Sequence, residues 1–209
     1  MQRFLQLVQF CSDLHLEKNL PRLIVPNKPY LLLCGDIGHV QTNSYKQFLH
    51  QMSYHYDKVF VIAGNHEYDD NPNAEVMIRN ICNQRNNLIF LQKEIYPIEN
   101  VYIAGCTLWS PKPISKKKYH DDHVRWLNNL SSDKNYVIAS HHSPLLNKKM
   151  TKTSPYFYSD QTNILKKKNI LGWIYGHTHN NTQLFHCNKP ILTNQYGNRL
   201  YPNPYYKYL

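Results

Sequence analysis

The segment YGHTHN, Tyr175 to Asn180, sets His177 and His179 two positions apart directly after an apolar run. A packed core has little use for two imidazoles, and a surface turn rarely needs both. What matters is which other side chains could share a ligand with them. Four more apolar runs end in groups of the same kind: Asp13 and His15 in SDLHLE, Asp36 in CGDIG, Asn65 and His66 in GNHEY, and His141 and His142 in HHSP. Oxygen and nitrogen donors without cysteine suit divalent manganese, iron or zinc. Two such ions side by side need an anion between them, a part that Asp36 could take. A pair about 3.5–4 Å apart can grip the nonbridging oxygens of a phosphate and lower the pKa of a bound water. Taken singly, the same residues have plainer uses: Asp13 and Asp36 as turn or helix-capping carboxylates, Asn65 as a turn residue. A turn does not account for His66.

Regular elements must bring these residues together. Eight apolar runs read as strands, at 4–10, 30–35, 58–64, 100–106, 135–140, 172–176, 183–187 and 190–194. Several are unbroken stretches rather than alternations, which suits strands covered on both faces. Helices are expected over 43–56, 73–84 and 121–130; the first carries Tyr45, Phe48, Leu49, Met52 and Tyr56 on one stripe, and the last has acids in its first turn. The early part is βαβ-like, and the C-terminal strands follow closely enough to pair antiparallel. This predicts a mixed α/β domain with two sheets rather than one doubly wound sheet. In such folds the carboxyl ends of strands face one crevice, where residues as far apart as Asp13 and His179 can meet.

The chain of 209 residues fits one domain spanning 1–209 and is long enough to bury a core without disulfides. Its five cysteines form no CxxC pair and are odd in number, which points to buried free thiols in a reducing compartment, the cytoplasm. No run reaches the ~18 apolar residues of a membrane span. MQRFLQLVQF passes directly into polar CSD without a small-residue cleavage site, so no signal peptide is expected. Lys and Arg number 24 against 14 Asp and Glu, a formal charge of +10 that favours anionic partners without choosing among them.

The ordered blocks Asp13-Leu14-His15, Gly35-Asp36, Gly64-Asn65-His66-Glu67, His141 and Gly176-His177-Thr178-His179 resemble the signature of calcineurin-like metallophosphoesterases. GCTLWS (105–110) and NQYGNRLYPNP (194–204) look like segments of small bacterial-type members. The resemblance implies a four-layer α/β/β/α sandwich of two mixed sheets flanked by helices; the chain carries little beyond that core, so no separate cap domain is expected. It also implies two divalent ions, Mn2+ first, with Fe, Zn or Ni as alternatives. Asp13, His15, Asp36 and His179 would hold one ion and Asp36, Asn65, His141 and His177 the other. His66 would bind neither; it would stabilise phosphoryl charge and donate a proton to the leaving oxygen. Attack would come in line from metal-bound hydroxide, with no covalent enzyme intermediate.

A phosphodiesterase acting on a phosphorylated small molecule or nucleotide is therefore the leading expectation. A single-strand nuclease, a phosphomonoesterase and a noncatalytic metal-binding scaffold on the same fold are the competitors. His142 and His39 could face the pocket or simply be satisfied by hydrogen bonds and water. His120 and His123 read as surface residues, and His50, His55 and His186 need no special role. Lys116–Lys118, in a proline-bearing loop at 109–120, could steer phosphate or contact nucleic acid; a solvated loop is the plainer reading. The same holds for the basic stretch Lys148–Lys152 in the loop 145–160. Tyr156, Phe157 and Tyr158 could stack a base or tuck onto the core, and Arg199 and Tyr201 could approach the pocket.

Overall fold

The fold is described from a computed structural model, which covers residues 1–18, 24–69, 71–146 and 155–197. The elements run α1 (Gln2–Leu7), β1 (Val8–Cys11), β2 (Tyr30–Cys34), α2 (Asn43–His55), β3 (Lys58–Ile62), α3 (Ala74–Cys82), β4 (Leu88–Phe90), β5 (Glu94–Ile98), β6 (Val101–Cys106), α4 (Lys117–Asn128), β7 (Tyr136–Ser140), α5 (Thr162–Leu165), β8 (Ile170–Tyr175), β9 (Gln183–His186) and β10 (Lys189–Thr193). Short 3-10 turns at His66–Tyr68 and Ile114–Lys116 complete the order.

Two sheets form, β1-β2-β3-β4 and β5-β6-β7-β8-β10-β9. All pairs in the first are parallel, so only the second is mixed, through its antiparallel edges β5–β6 and β10–β9. Alternation along each strand builds the layers. Leu31, Leu33, Val59 and Val61 point outward to a core shared with α2 and α3. Leu32, Cys34, Phe60 and Ile62 point inward and meet Ile103, Val137, Ala139 and Ile174 of the second sheet. On its far side that sheet presents Ala104, Cys106, Ile138 and Trp173 to Leu127 of α4 and to Ile164 and Leu165 of α5. The order helix, sheet, sheet, helix is the expected four-layer sandwich, and strands buried on both faces explain the unbroken apolar runs.

Three differences from the sequence expectation have physical causes. Residues 4–7 are helical, and strand β1 is only Val8–Cys11. Phe4 and Val8, four apart, are both buried in the inter-sheet core, a spacing that one helical turn satisfies. Strand β5 was not anticipated because Pro97 interrupts it; the strand is an edge, where a missing N–H costs little. Helix α4 begins at Lys117, so Lys116–Lys118 stand on a 3-10 turn and the first helical turn rather than in a loop. The Lys117 ammonium pairs with Asp121 one turn on. Among the described residues no helix is long and apolar enough to cross a membrane. None of the five cysteines forms a disulfide, and four of them are buried.

Two buried polar groups tie the loops after the strands. The Glu67 carboxylate, fully buried, accepts the backbone N–H of Asp36 (3.0 Å) and Gly64 (2.7 Å) on one oxygen and of Ile37 (2.8 Å) and Gly38 (3.4 Å) on the other. It therefore clamps the turn after β2 to the turn after β3. Burial and the adjacent Asp36 push its pKa up to about 7, against the pull of the Gly64 and Ile37 N–H groups. His123 of α4 is not on the surface as expected but 3% exposed, and its Nδ1 accepts the Leu108 N–H at 3.0 Å. That bond steadies Leu108 in a left-handed conformation, φ 53°.

Glu67→Gln turns an amide toward backbone donors and should lower stability by on the order of 2–3 kcal/mol, read as a lower denaturant midpoint at unchanged slope. Burial, then Lys93, lowers the His123 pKa to about 4 from 6.5. A lowered folded pKa means that the stabilisation is complete above pH 6.5 and is lost as pH falls toward 4. The loss should approach roughly 3 kcal/mol. In denaturant titrations His123→Asn should be less stable at pH 7 but lose less than the wild type between pH 7 and 4.5. A parallel pH dependence of the two proteins would refute the assignment.

Candidate metal centre

The loops that leave β1, β2, β3, β7 and β8 at their carboxyl ends carry every site residue predicted from the sequence. Their backbones are strained where the side chains must turn inward. Asp13 (φ 57°), His15 (φ 49°), Asp36 (φ 50°), His177 (φ 70°) and His179 (φ 48°) all lie in the left-handed region, at a cost of roughly 1–2 kcal/mol each for a residue with a Cβ. Bonds between loops hold them there. The Asp13 N–H donates to Gly35 O (3.0 Å), the His15 N–H to Asp36 O (3.0 Å), and the Gly176 N–H to His141 O (2.9 Å). The His177 N–H donates to both Asp13 carboxylate oxygens at 3.0 Å, and the His66 N–H to Asp36 Oδ1 at 2.9 Å. Two glycines are required by this crowding. A Cβ on Gly64 would lie 2.2 Å from Asp36 Oδ1, and one on Gly176 would lie 2.7 Å from Ser12 Oγ.

The side chains gather into two adjoining sets with Asp36 in both. Asp13, His15, Asp36 and His179 have ligand atoms within 4.8 Å of one another, as do Asp36, His141 and His177. Asn65 joins the second set, its Oδ1 3.0 Å from His141 Nε2. His15 Nε2 faces His179 Nε2 at 3.0 Å, and His141 Nε2 faces His177 Nδ1 at 3.1 Å. Partners on the far side of two rings fix the protons. Glu17 Oε1 takes His15 Nδ1–H at 3.0 Å, and Cys34 O takes His141 Nδ1–H at 2.9 Å. The opposite nitrogens then aim lone pairs at other nitrogens and at carboxylate oxygens. A proton or a cation must lie between such atoms, and imidazole, carboxylate and amide together are a donor set for a divalent ion. The residues fit two metal ions.

The electrostatics agree. Burial opposes ionisation of Asp36, yet the charge and hydrogen bond of His141 hold it well below the usual carboxylate range. Burial likewise opposes Asp13, which the His179 hydrogen bond holds low. His141 is carried up to about 9, Asp36 outweighing burial, while burial and His141 press His177 down to about 3. Two anionic carboxylates amid imidazoles of opposed basicity form a site prepared for positive charge.

His66 stands beside these sets, outside both. Its Nε2 is 3.9 Å from Asp36 Oδ2, its Nδ1 is 3.2 Å from Glu17 Oε1 and 3.5 Å from Asp69 Oδ2, and its side chain is 19% exposed. Burial disfavours its charge, but Glu17 and then Asp36 outweigh that and raise its pKa. Glu17 thus holds His15 and His66 together. The sequence reading passed over Glu17, although it continues the alternate spacing Asp13, His15, Glu17. It also gave Glu67, the last residue of GNHE, no part in fastening the loops.

The remaining candidates divide. His142 is buried, with its ring 4.1 Å from that of His177 and its Nδ1 3.4 Å from Thr107 O; it joins neither set. His39 stacks on His66 at 6.1 Å. Phe157 lies 4.8 Å from His177, whereas Tyr156 is exposed. His120 is tied to Asp121 and Ser159. Lys148–Lys152, Arg199 and Tyr201 lie outside the described residues.

Similarity to known proteins follows the same lines. An uncharacterized protein of Acanthamoeba polyphaga mimivirus is 29% identical over 92% of this chain and 91% of its own length. The phosphopantetheinyl hydrolase of Mycobacterium tuberculosis superposes with a TM-score of 0.70 at 16% identity, over 93% of this chain and 90% of that one. A putative 5'-nucleotidase of Staphylococcus aureus gives a TM-score of 0.57 at 14% identity, over 92% of this chain and 48% of that one. Residues 8–181 match the model of the calcineurin-like phosphoesterases. The matched span begins at the first residue of β1 and runs past His179, so it holds every strand-end block of the centre, and the chain belongs to the calcineurin-like phosphoesterase family.

Proposed function

We propose that the protein is a dinuclear-metal phosphoester hydrolase whose preferred substrates are diesters. The observation that carries this reading is Asp36, a buried carboxylate common to two ligand sets, with His66 poised 3.9 Å away and outside both. In this reading Asp13, His15, Asp36 and His179 hold one ion and Asp36, Asn65, His141 and His177 the other. When bound, the pair supplies neutralisation of phosphoryl charge and an activated water. A donor set of nitrogen and oxygen without sulfur suits Mn2+. Four buried cysteines outside any disulfide suit the cytoplasm.

The chain's own side chains do the rest. His66, raised toward its protonated form, donates a proton to the departing oxygen. Glu17 keeps the ring oriented from its Nδ1 side, leaving Nε2 to face the substrate. Solvent reaches the centre at His66 and at His179, whose side chains are 19% and 35% exposed, and an edge open in this way suits a diester.

Purified protein loaded with Mn2+ should hydrolyse bis-p-nitrophenyl phosphate faster than p-nitrophenyl phosphate, and Asp36→Asn should remove both activities. Full activity in that variant, or none in the wild type, contradicts the proposal; the opposite preference makes the enzyme a monoesterase. His66→Ala should lower turnover of alkyl esters roughly 10²–10⁴-fold at unchanged metal content. Its effect on p-nitrophenyl esters should be smaller, because that leaving group departs without a proton. Equal losses on both ester types would remove the acid role.

A further inference from the structure

A cleft of about 700 Å³ lies beside the centre, between the His66–Tyr68 turn, the start of α3 and the start of α4. Its size suits a small organic ligand. Tyr68, Trp109 and Tyr119 wall it, with Glu75 and Lys116 as its charged groups. It adjoins the metal centre in two ways. Tyr68 belongs to the same short turn as His66. Trp109 lies 5.5 Å from His142, whose ring in turn lies 4.1 Å from that of His177.

The lining has the chemistry of a heteroaromatic site. Trp109 packs between Tyr68 at 5.1 Å and Tyr119 at 6.4 Å, and Tyr119 is 54% exposed, so an aromatic face stands open beside the buried Trp109 and the half-buried Tyr68. Lys116 Nζ sits 4.4 Å over the Trp109 ring and 5.7 Å from Tyr119, which holds a positive charge at the mouth. Glu75 Oε1 accepts the Tyr68 hydroxyl at 2.8 Å and the Gln92 amide at 3.2 Å. The carboxylate is thereby fixed, and its second oxygen can accept from an amino group on the edge of a stacked ring. An acyl chain would cover the Glu75 carboxylate and the Lys116 ammonium with methylenes that return no hydrogen bond.

We propose that this cleft is the subsite for the nucleobase of a nucleotide phosphoester, the base lying against Tyr119 and its amino edge meeting Glu75. The proposal rests on the reading of the neighbouring centre as a phosphoesterase, since the phosphate is what the centre would hold.

Adenosine 5'-monophosphate carries adenine where ribose 5-phosphate carries the C1 hydroxyl, so the pair isolates the cleft. Calorimetry on Mn2+-loaded protein should show the nucleotide binding about 10–100-fold more tightly, the size of one stacked base. Tyr119→Ala, at an exposed position, should bring the nucleotide to the affinity of the sugar phosphate and leave the sugar phosphate unchanged. Equal affinities in the wild type overturn the subsite even if the variant fails to fold, and so does an equal weakening of both ligands by Tyr119→Ala. The outcomes separate from those of the enzymatic reading. Hydrolysis of p-nitrophenyl phosphate without base selectivity in binding sinks the subsite alone. Base-selective binding by a protein that cleaves no phosphoester leaves the subsite standing and sinks the hydrolase.

Discussion

Nitrogen lone pairs and carboxylates packed against one another set the terms for this molecule. His141 Nε2 points at Asn65 Oδ1, at His177 Nδ1 and, 3.3 Å away, at Asp36 Oδ1, while its Nδ1 proton is committed to Cys34 O. Such an arrangement is repulsive unless positive charge lies within it. The strained loop ends, the glycines that admit close approach and the Glu67 clamp all serve to hold that cluster closed. The two sheets are likewise bound to each other through it. The first contributes Asp13, Asp36 and Asn65 and the second His141, His177 and His179. The Ser12 N–H donates to Asn194 O just beyond β10, a further link between the sheets beside the site.

The division of labour among the carboxylates follows from what surrounds each. Asp13 and Asp36 sit among imidazoles and stay ionised despite burial. Glu17 is held low by a hydrogen bond from His15 and by the His66 ring beside it, which together outweigh its own burial, so it acts on the two rings from behind. Glu67 accepts backbone N–H groups from both turns, with Asp36 as an unfavourable neighbour, and its part is structural. Sequence proximity therefore says little about role: His66 and Glu67 are adjacent, yet one faces the pocket and the other fastens the loops beneath it.

Much of this was legible in the sequence because the chemistry-bearing residues directly follow the strands. Unbroken apolar runs mark strands buried on both faces, and a polar residue after such a run marks a carboxyl end; Asp36 after YLLLCG and His141 after NYVIAS are the plain cases. Where local pattern and tertiary packing disagreed, the reading failed. Phe4 to Leu7 read as the start of an apolar strand but form a helical turn that buries Phe4 beside Val8. His123 looks like any polar residue of an amphipathic helix until the Leu108 N–H finds its ring. The lysines at 116–118 look like an open basic loop, whereas Lys116 lies on Trp109 and Lys117 is paired within α4. Each miss turns on a partner distant in the chain or a turn in the backbone, neither of which hydrophobic periodicity records.

Counting bound metal tests the account most directly. Equilibrium dialysis against Mn2+ followed by elemental analysis should find two ions per chain in the wild type. Asp36→Ala should retain fewer than one, because both sets lose their common carboxylate, while His66→Ala should retain two. A wild type that binds none, or an Asp36→Ala protein that still binds two, would contradict the claim that this cluster is built around a shared pair of cations.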